Sequence, residues 1–478
     1  MATQDKVAFI TGANKGIGLE TARGLGQLGI TVVLGSRDEA KGREAADKLR
    51  AGGIEKVEAV RFDVTKPEDH QEIARHLEGR YGKLDILVNN AGVMLKENDL
   101  GAPGGLPDHP GTPDYRKVMS RELVAYLYSG VTAVRSAGDG LDAILDLKRQ
   151  ANSGERLDSE LFVCGPLFTA KGGHGTEYFD AVPEKYREQL LSQFVRTPGT
   201  PAEARTQVRD LKAAGADAIK AVLDAGQASF LYTRLDLSIL RAIIEEAHAV
   251  HLTAIVHTGD SHDIADAVSA GADGIEHGSY RDQIPAELLA LMAKKGITLN
   301  PTLAVVEAWT DFVAGKTDLL DRPMVQQVGP VDLLRSTKKL ITQPAAVKLR
   351  ERLDRFTLSL TLAMENLQRA YRAGVPLVAG TDSGNMLLVH GPALHRELRL
   401  WVQAGVPPEA ALRAATFNAA KLLRADARLG SLTTGHDATL LLLDGNPLED
   451  IAVTERISGL FLKGERVNRT SLFEDAGK

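Results

Sequence analysis

Four side chains in this sequence combine suitable chemistry with matching positions: Lys220, His257, His277 and Asp382. Two short apolar runs, 253–256 and 274–275, each end on a histidine, His257 and His277. The run at 218–219 ends on Lys220, and that at 377–380 leads into Thr381-Asp382-Ser383-Gly384. Neutral imidazole is a common zinc ligand. A carboxylate beside it can ligate a metal and take a proton from bound water. A lone histidine at a strand end is more often a structural hydrogen-bonder, and a lysine there could instead be a Schiff-base nucleophile. Two imidazoles in successive units, with an aspartate at a third strand end, favour a metal site and metal-assisted hydrolysis. A further histidine, His174, lies in Gly172-Gly173-His174-Gly175. Contact with a substrate and an ordinary loop role suit it equally.

Bringing these residues to one place requires parallel strands. A helix stopped by glycine and followed by a short apolar strand recurs at 130–134, 215–219, 271–275, 296–299 and 374–378. Glycine suits the stop because it adopts the left-handed conformation cheaply. Runs at 161–164 and 253–256 complete a set that predicts a (β/α)8-type TIM barrel with its first strand missing or replaced. Barrel sites form where the strand C-termini gather. The segment 305–371 is mostly helical in pattern, 350–368 most clearly, and reads as a cover over that rim. Residues 427–478 follow as a turn, a buried strand near 438–443 and a hairpin over 457–467, a partial β-sandwich.

The first ninety residues follow a different plan. A strand pattern at 6–10 leads into Thr11-Gly12-Ala13-Asn14-Lys15-Gly16-Ile17-Gly18 and a helix. Glycines between strand and helix let the backbone approach a diphosphate at the helix N-terminus. A second strand ends at Ser36-Arg37, where a basic residue suits the 2′-phosphate of NADP rather than NAD. A third ends at Asp63, and a fourth enters Asn89-Asn90-Ala91-Gly92. This is half of a Rossmann-type parallel sheet. A Gly- and Pro-rich stretch over 93–105 marks the seam. The expected domains are therefore 1–96, a nucleotide-binding segment; 97–426, a barrel; and 427–478, the tail.

The motifs TGANKGIG, Asp63-Val64 and NNAG, in that order, resemble the short-chain dehydrogenase/reductase family, particularly its carbonyl-reductase-like members. The resemblance implies that Gly12, Lys15, Gly16, Ile17, Gly18, Arg37, Asp63 and Asn90 face an NADP cofactor. It stops near Met94. That family's catalytic Tyr-x-x-x-Lys is absent, since no tyrosine has a lysine four residues later. A vestigial or unused nucleotide site is the plain reading of this segment.

From about Leu100 to Val467 the chain resembles the amidohydrolase superfamily, in particular its imidazolonepropionase-like and Xaa-Pro or Xaa-Arg dipeptidase members. The resemblance rests on Gly-Ala-Asp-Ala-Ile-Lys220, Val256-His257, Ile275-Glu276-His277-Gly278 and Gly380-Thr381-Asp382. It implies that Lys220, often carboxylated in the family, bridges two zinc-like ions. His257 and His277 would hold one ion, and Asp382 would bind the other and act as general base. The family's first strand ends in His-x-His, which occurs nowhere in this chain. Glu97 and Asp99 fall where those histidines would be, as substitute ligands or as part of a solvated seam.

Composition bounds the partners. The chain has 478 residues, 44% apolar and 25% charged, enough for a large core. A net charge of −6 without a long basic tract argues against nucleic acid. Cys164 is the single cysteine, so no internal disulfide forms. No apolar run approaches the roughly 18 residues that span a membrane, and the N-terminus lacks a signal-peptide layout, which predicts a cytoplasmic protein acting on a small molecule. An incomplete sandwich would leave strand edges that invite dimerisation. The resulting expectation is a metal-dependent hydrolase of amide-type C–N bonds. An NADP-binding module without turnover and a catalytically dead hybrid are the alternatives.

Overall fold

The computed structural model describes residues 6–63, 66–88, 115–154, 157–180, 182, 184–228 and 230–475. They form two compact units, one up to Val88 and one from Arg116 onward.

In the first unit, strands β1 (Val7–Thr11), β2 (Thr31–Ser36), β3 (Val57–Arg61) and β4 (Ile86–Val88) make one parallel sheet in the order β3-β2-β1-β4. Helices Gly16–Gln27, Glu39–Ala51 and Pro67–Tyr81 connect them. The fully buried runs of β1 and β2 explain their continuous apolar sequence. Asp38 caps the second helix by accepting from Lys41 N at 3.1 Å. This is a Rossmann-like α/β layer.

In the second unit, β5 (Ala133–Ser136) and β6 (Glu160–Val163) form a parallel pair. Strands β7 (Leu167–Phe168), β8 (Val195–Arg196) and β9 (Ala218–Val222) follow, then a small hairpin of β10 (Gly226–Gln227) and β11 (Phe230–Leu231). β12 (Thr253–His257), β13 (Gly274–Glu276) and β14 (Thr298–Asn300) complete a six-stranded parallel sheet ordered β14-β13-β12-β9-β7-β8. Helices Pro201–Ala214, Leu237–Ala249, Ser261–Ala270 and Ala286–Lys295 alternate with the strands. Thr200, Asp236 and Asp260 cap the first three, and Gly215, Gly271 and Gly296 end the first, third and fourth in the left-handed conformation. Among the described residues the strand ladder does not close on itself. The tail is an antiparallel sheet of β15 (Leu440–Leu443), β16 (Ile457–Leu462) and β17 (Glu465–Arg466).

Several elements depart from the sequence reading. β9 does not end at Lys220 but continues to Val222, because Lys220, Ala221 and Val222 pair with Ile255, Val256 and His257 of β12. The run at 377–380 forms no strand, only a parallel bridge from Leu377 to Leu299. β7 and β8 have two residues each, too short for a periodic signal. The helix expected over 350–368 is two helices, Pro344–Leu353 and Leu360–Arg372. Tertiary contacts break it: Thr357 N donates to Gln227 Oε1 at 3.0 Å and Phe356 packs edge-on to Phe230. Ser359 then caps the next helix through Leu362 N.

Candidate functional site

His257 closes β12 and His277 follows β13, so adjacent parallel strands deliver both imidazoles to one end of the sheet. Their ring centroids are 4.5 Å apart, edge to face. Burial pushes both imidazoles down to about 3, helped by His277 acting on His257 and by Lys220 acting on His277. Both are neutral at pH 7, the form that ligates metal. His257 Nε2 is buried without a hydrogen-bond partner. The nearest acid oxygen, Asp224 Oδ2, lies 3.7 Å away, outside hydrogen-bond reach. His277 Nδ1 pairs with Thr302 Oγ1 at 2.8 Å.

Lys220 is buried in mid-strand beside this pair. Glu276, next to His277, is held by Arg135 Nη2 and Asn300 Nδ2, both at 2.6 Å. Burial alone would raise the Glu276 carboxyl, but the positive charges of Arg135 and Lys220 outweigh it and bring it down to about 2. His174 stacks 5.1 Å from His257 and 4.9 Å from Tyr232. Glu177 Oε1 fixes it through Nδ1 at 2.6 Å. Asp224 pairs with both terminal nitrogens of Arg281 at 2.8 Å. Burial opposes its ionisation, yet the Arg281 guanidinium keeps its carboxyl far below the usual carboxylate range.

Backbone strain marks the same place. His277, Thr302 and Asp382 are non-glycine residues with positive φ, at 69°, 44° and 53°. Such residues cluster at functional sites because surrounding structure must hold them there. Asp382 itself is exposed, and Asn385 Nδ2 donates to its carboxylate at 2.9 Å. Among the described residues no three His, Cys, Asp or Glu side chains converge as a metal-binding set. The structure thus gathers Lys220, His257, His277 and His174, and Asp382 is the exposed member of the predicted set. A buried orphan Nε2 with a second neutral imidazole beside it fits a divalent cation with two nitrogen ligands. A third donor would have to come from a carboxylated Lys220. Glu97 and Asp99 lie outside the described residues.

Sequence reasoning missed Asp224, Arg281, Arg135, Glu276 and Thr302. Asp224 carried a weak signal as an acid just past a strand; the others become visible only once strands are paired.

In the first unit, Gly12 and Gly16 take φ of +64° and +61° between β1 and its helix. Lys15 precedes that helix in extended conformation and makes no side-chain cap. Gly18 lies in its first turn, and Arg37 is exposed directly after β2. Asp63 N donates to Asp69 Oδ2 at 2.7 Å. The Ile17 side chain and Asn90 lie outside the described residues.

A parallel α/β sheet with imidazoles at successive strand ends defines the class, and the chain belongs to the amidohydrolase family, whose model matches residues 113–467. The short chain dehydrogenase model matches residues 6–127, so two families are joined in one chain. Salutaridine reductase of Papaver somniferum is 47% identical over 222 residues, 42% of this chain and 71% of that protein. Short-chain dehydrogenase/reductase 1 of Saponaria officinalis is 49% identical over 92 residues, 19% of this chain and 30% of that protein. The chain spans about a third of the length of several curated relatives it matches. A Xaa-Pro dipeptidase structure with methionine bound in its active site is 26% identical with a TM-score of 0.55, covering 74% of this chain and 79% of that one. Molinate hydrolase, 22% identical with a TM-score of 0.58 over 75% and 77% of the two chains, shares the fold. Among the described residues, no helix is long and apolar enough to cross a membrane.

Proposed function

We propose that the second unit is a metal-dependent hydrolase of amide-type C–N bonds, on a barrel lacking its first strand, with dipeptide-like or cyclic amide substrates. The observation that carries this reading is the pair of neutral, buried imidazoles 4.5 Å apart, one with an orphan Nε2, beside Lys220. His257, His277 and Lys220, the last as its carbamate, would hold a zinc-like ion. Such an ion, when bound, polarises a scissile carbonyl and acidifies water. The chain's own residues supply the rest. Asp382, open to solvent, takes the proton of the attacking water and returns it to the leaving nitrogen. His174, braced by Glu177 and stacked on Tyr232, orients the substrate over His257. The Asp224–Arg281 pair lies beside His257. Likeness to a Xaa-Pro dipeptidase supports the dipeptide class.

The test is metal content by elemental analysis on protein purified without chelator, followed by dipeptide and cyclic-amide hydrolysis by wild type and His257→Ala. About one zinc per chain, lost with activity in the variant, is expected. Unchanged turnover by the variant refutes the assignment. Absence of zinc even after its addition would favour a dead hybrid.

The first unit supports a second, separate reading, NADP binding without reduction. Positive-φ glycines and a helix start without a side-chain cap favour a diphosphate there. Fluorescence titration with NADPH should show binding, with no oxidation on adding carbonyl compounds.

A further inference from the structure

Thr302 precedes helix Leu303–Val313 and occupies the place where a threonine ordinarily caps its own helix. It does not: its side chain makes no cap bond. Two N–H groups of the first turn go instead to Glu397 of helix Pro392–Gln403, a residue ninety-odd positions away and fully buried. Glu397 Oε1 accepts from Leu303 N at 2.9 Å and Oε2 from Ala304 N at 2.6 Å. Trp401 Nε1 donates to Oε1 at 2.8 Å and fixes the carboxylate within its own helix. The first N–H groups of a helix lack partners within it, and here two carboxyl oxygens from another helix accept from them. Two consequences follow. Thr302 is held at φ 44°, ψ 49°, a region that a β-branched residue does not enter unaided. Its hydroxyl is also released for another partner, and that partner is His277 Nδ1 at 2.8 Å.

We infer that Glu397 is a positioning residue: by capping helix Leu303–Val313 in place of Thr302, it frees the Thr302 hydroxyl to accept the His277 Nδ1–H, leaving Nε2 as the lone-pair nitrogen of the site. The inference rests on the reading of His277 as a site residue. It adds a buried carboxylate, with no contact to His277, that sets which imidazole nitrogen carries the proton. The other nitrogen's hydrogen bond decides the tautomer of a ligating histidine.

The experiment uses the full chain with ¹⁵N-labelled histidine. The His277 tautomer is read by long-range ¹H–¹⁵N correlation, assigned through His277→Asn, and zinc affinity is measured by competition with a chromogenic chelator. Wild type should show Nδ1 protonated. Glu397→Gln places an amide NH₂ against the helix N–H groups, and Glu397→Asp withdraws the carboxylate by one methylene. Either should shift His277 towards the Nε2–H form and weaken zinc binding by about 10- to 100-fold. Thr302→Val should do the same, and Thr302→Ser, which restores the hydroxyl, should return wild-type behaviour. Arg396→Gln is the structural control. It breaks the Arg396 Nε–Glu307 Oε2 bond of 2.6 Å between the same two helices and should lower the melting temperature without moving the tautomer. Folded Glu397 variants with Nδ1 still protonated and zinc affinity within twofold of wild type would overturn the inference. So would a tautomer shift of equal size in Arg396→Gln. If wild type binds no zinc, the hydrolase reading fails, while the tautomer comparison still decides the role of Glu397.

Discussion

The buried ion pair beside His257 gives a sharp prediction at the scale of single residues. Asp224→Asn removes the charge opposing Arg281, whose side chain is only 12% exposed. Stranding one partner of a buried pair costs about 3–5 kcal/mol. The urea midpoint should fall accordingly, and an unchanged midpoint would show the pair to be energetically idle. Much of the site's inventory was readable from residue type alone. His257 and His277 stand out as imidazoles at strand ends, Lys220 as an amine in an apolar run and His174 in a glycine-rich loop, and the structure brings the three imidazoles into ring contact. Their partners were not readable. Arg135 reaches Glu276 across 141 positions, and Arg281 reaches Asp224 across 57. Nothing local in the sequence records such a pairing, because only the order of strands in the sheet creates it.

At the scale of elements, glycine stops and apolar runs locate strands well where a strand is buried on both faces, as in β1, β9 and β12. They fail where tertiary contacts override local preference. The pattern over 350–368 is helical throughout, yet contacts to β10 and β11 interrupt it between Leu353 and Leu360. The same principle predicts where one added carbon will break an element. Gly391 stands before helix Pro392–Gln403 at φ +93°, and a Cβ there would lie 2.4 Å from Ala125 O and 2.5 Å from Ser129 Oγ. The backbone of helix Tyr115–Tyr128 cannot yield as a side-chain tip would. Gly391→Ala should destabilise the second unit by about 3 kcal/mol or more, read as a lower melting temperature. Gly296→Ala meets nothing within 4 Å at φ +69° and should cost only about 1 kcal/mol.

At the scale of the whole molecule, the titration of buried groups sets the pH range of stability. Burial holds His257 and His277 at about 3, and His390 and His395 at about 4. Each is protonated in the unfolded chain below about 6.5 but not in the folded one, so its contribution is present above that pH and lost as pH falls. Glu397 runs the other way. Burial raises its carboxyl to about 7, so its contribution is full below about 4.5 and lost as pH rises through 7. Burial raises the Glu122 carboxyl to about 8, so it acts in the same direction as Glu397. Four histidines against these two carboxyls make stability climb between about pH 4.5 and 6.5. Melting temperatures measured across that range should rise, and a flat or falling profile would mean that these imidazoles are not buried neutral.

The three left-handed residues at His277, Thr302 and Asp382 carry a consequence for anyone who would improve this protein. Each holds a conformation that glycine adopts without cost and other residues adopt at about 1 kcal/mol. Asp382→Gly should therefore be more stable than Asp382→Ala by about that amount, while neither retains a carboxylate. A laboratory selection that rewards heat resistance alone would find glycine at these positions first. It would climb in stability by removing an imidazole, a hydroxyl and a carboxylate from the candidate site, and screens for robust variants of this protein need a functional readout from their first round.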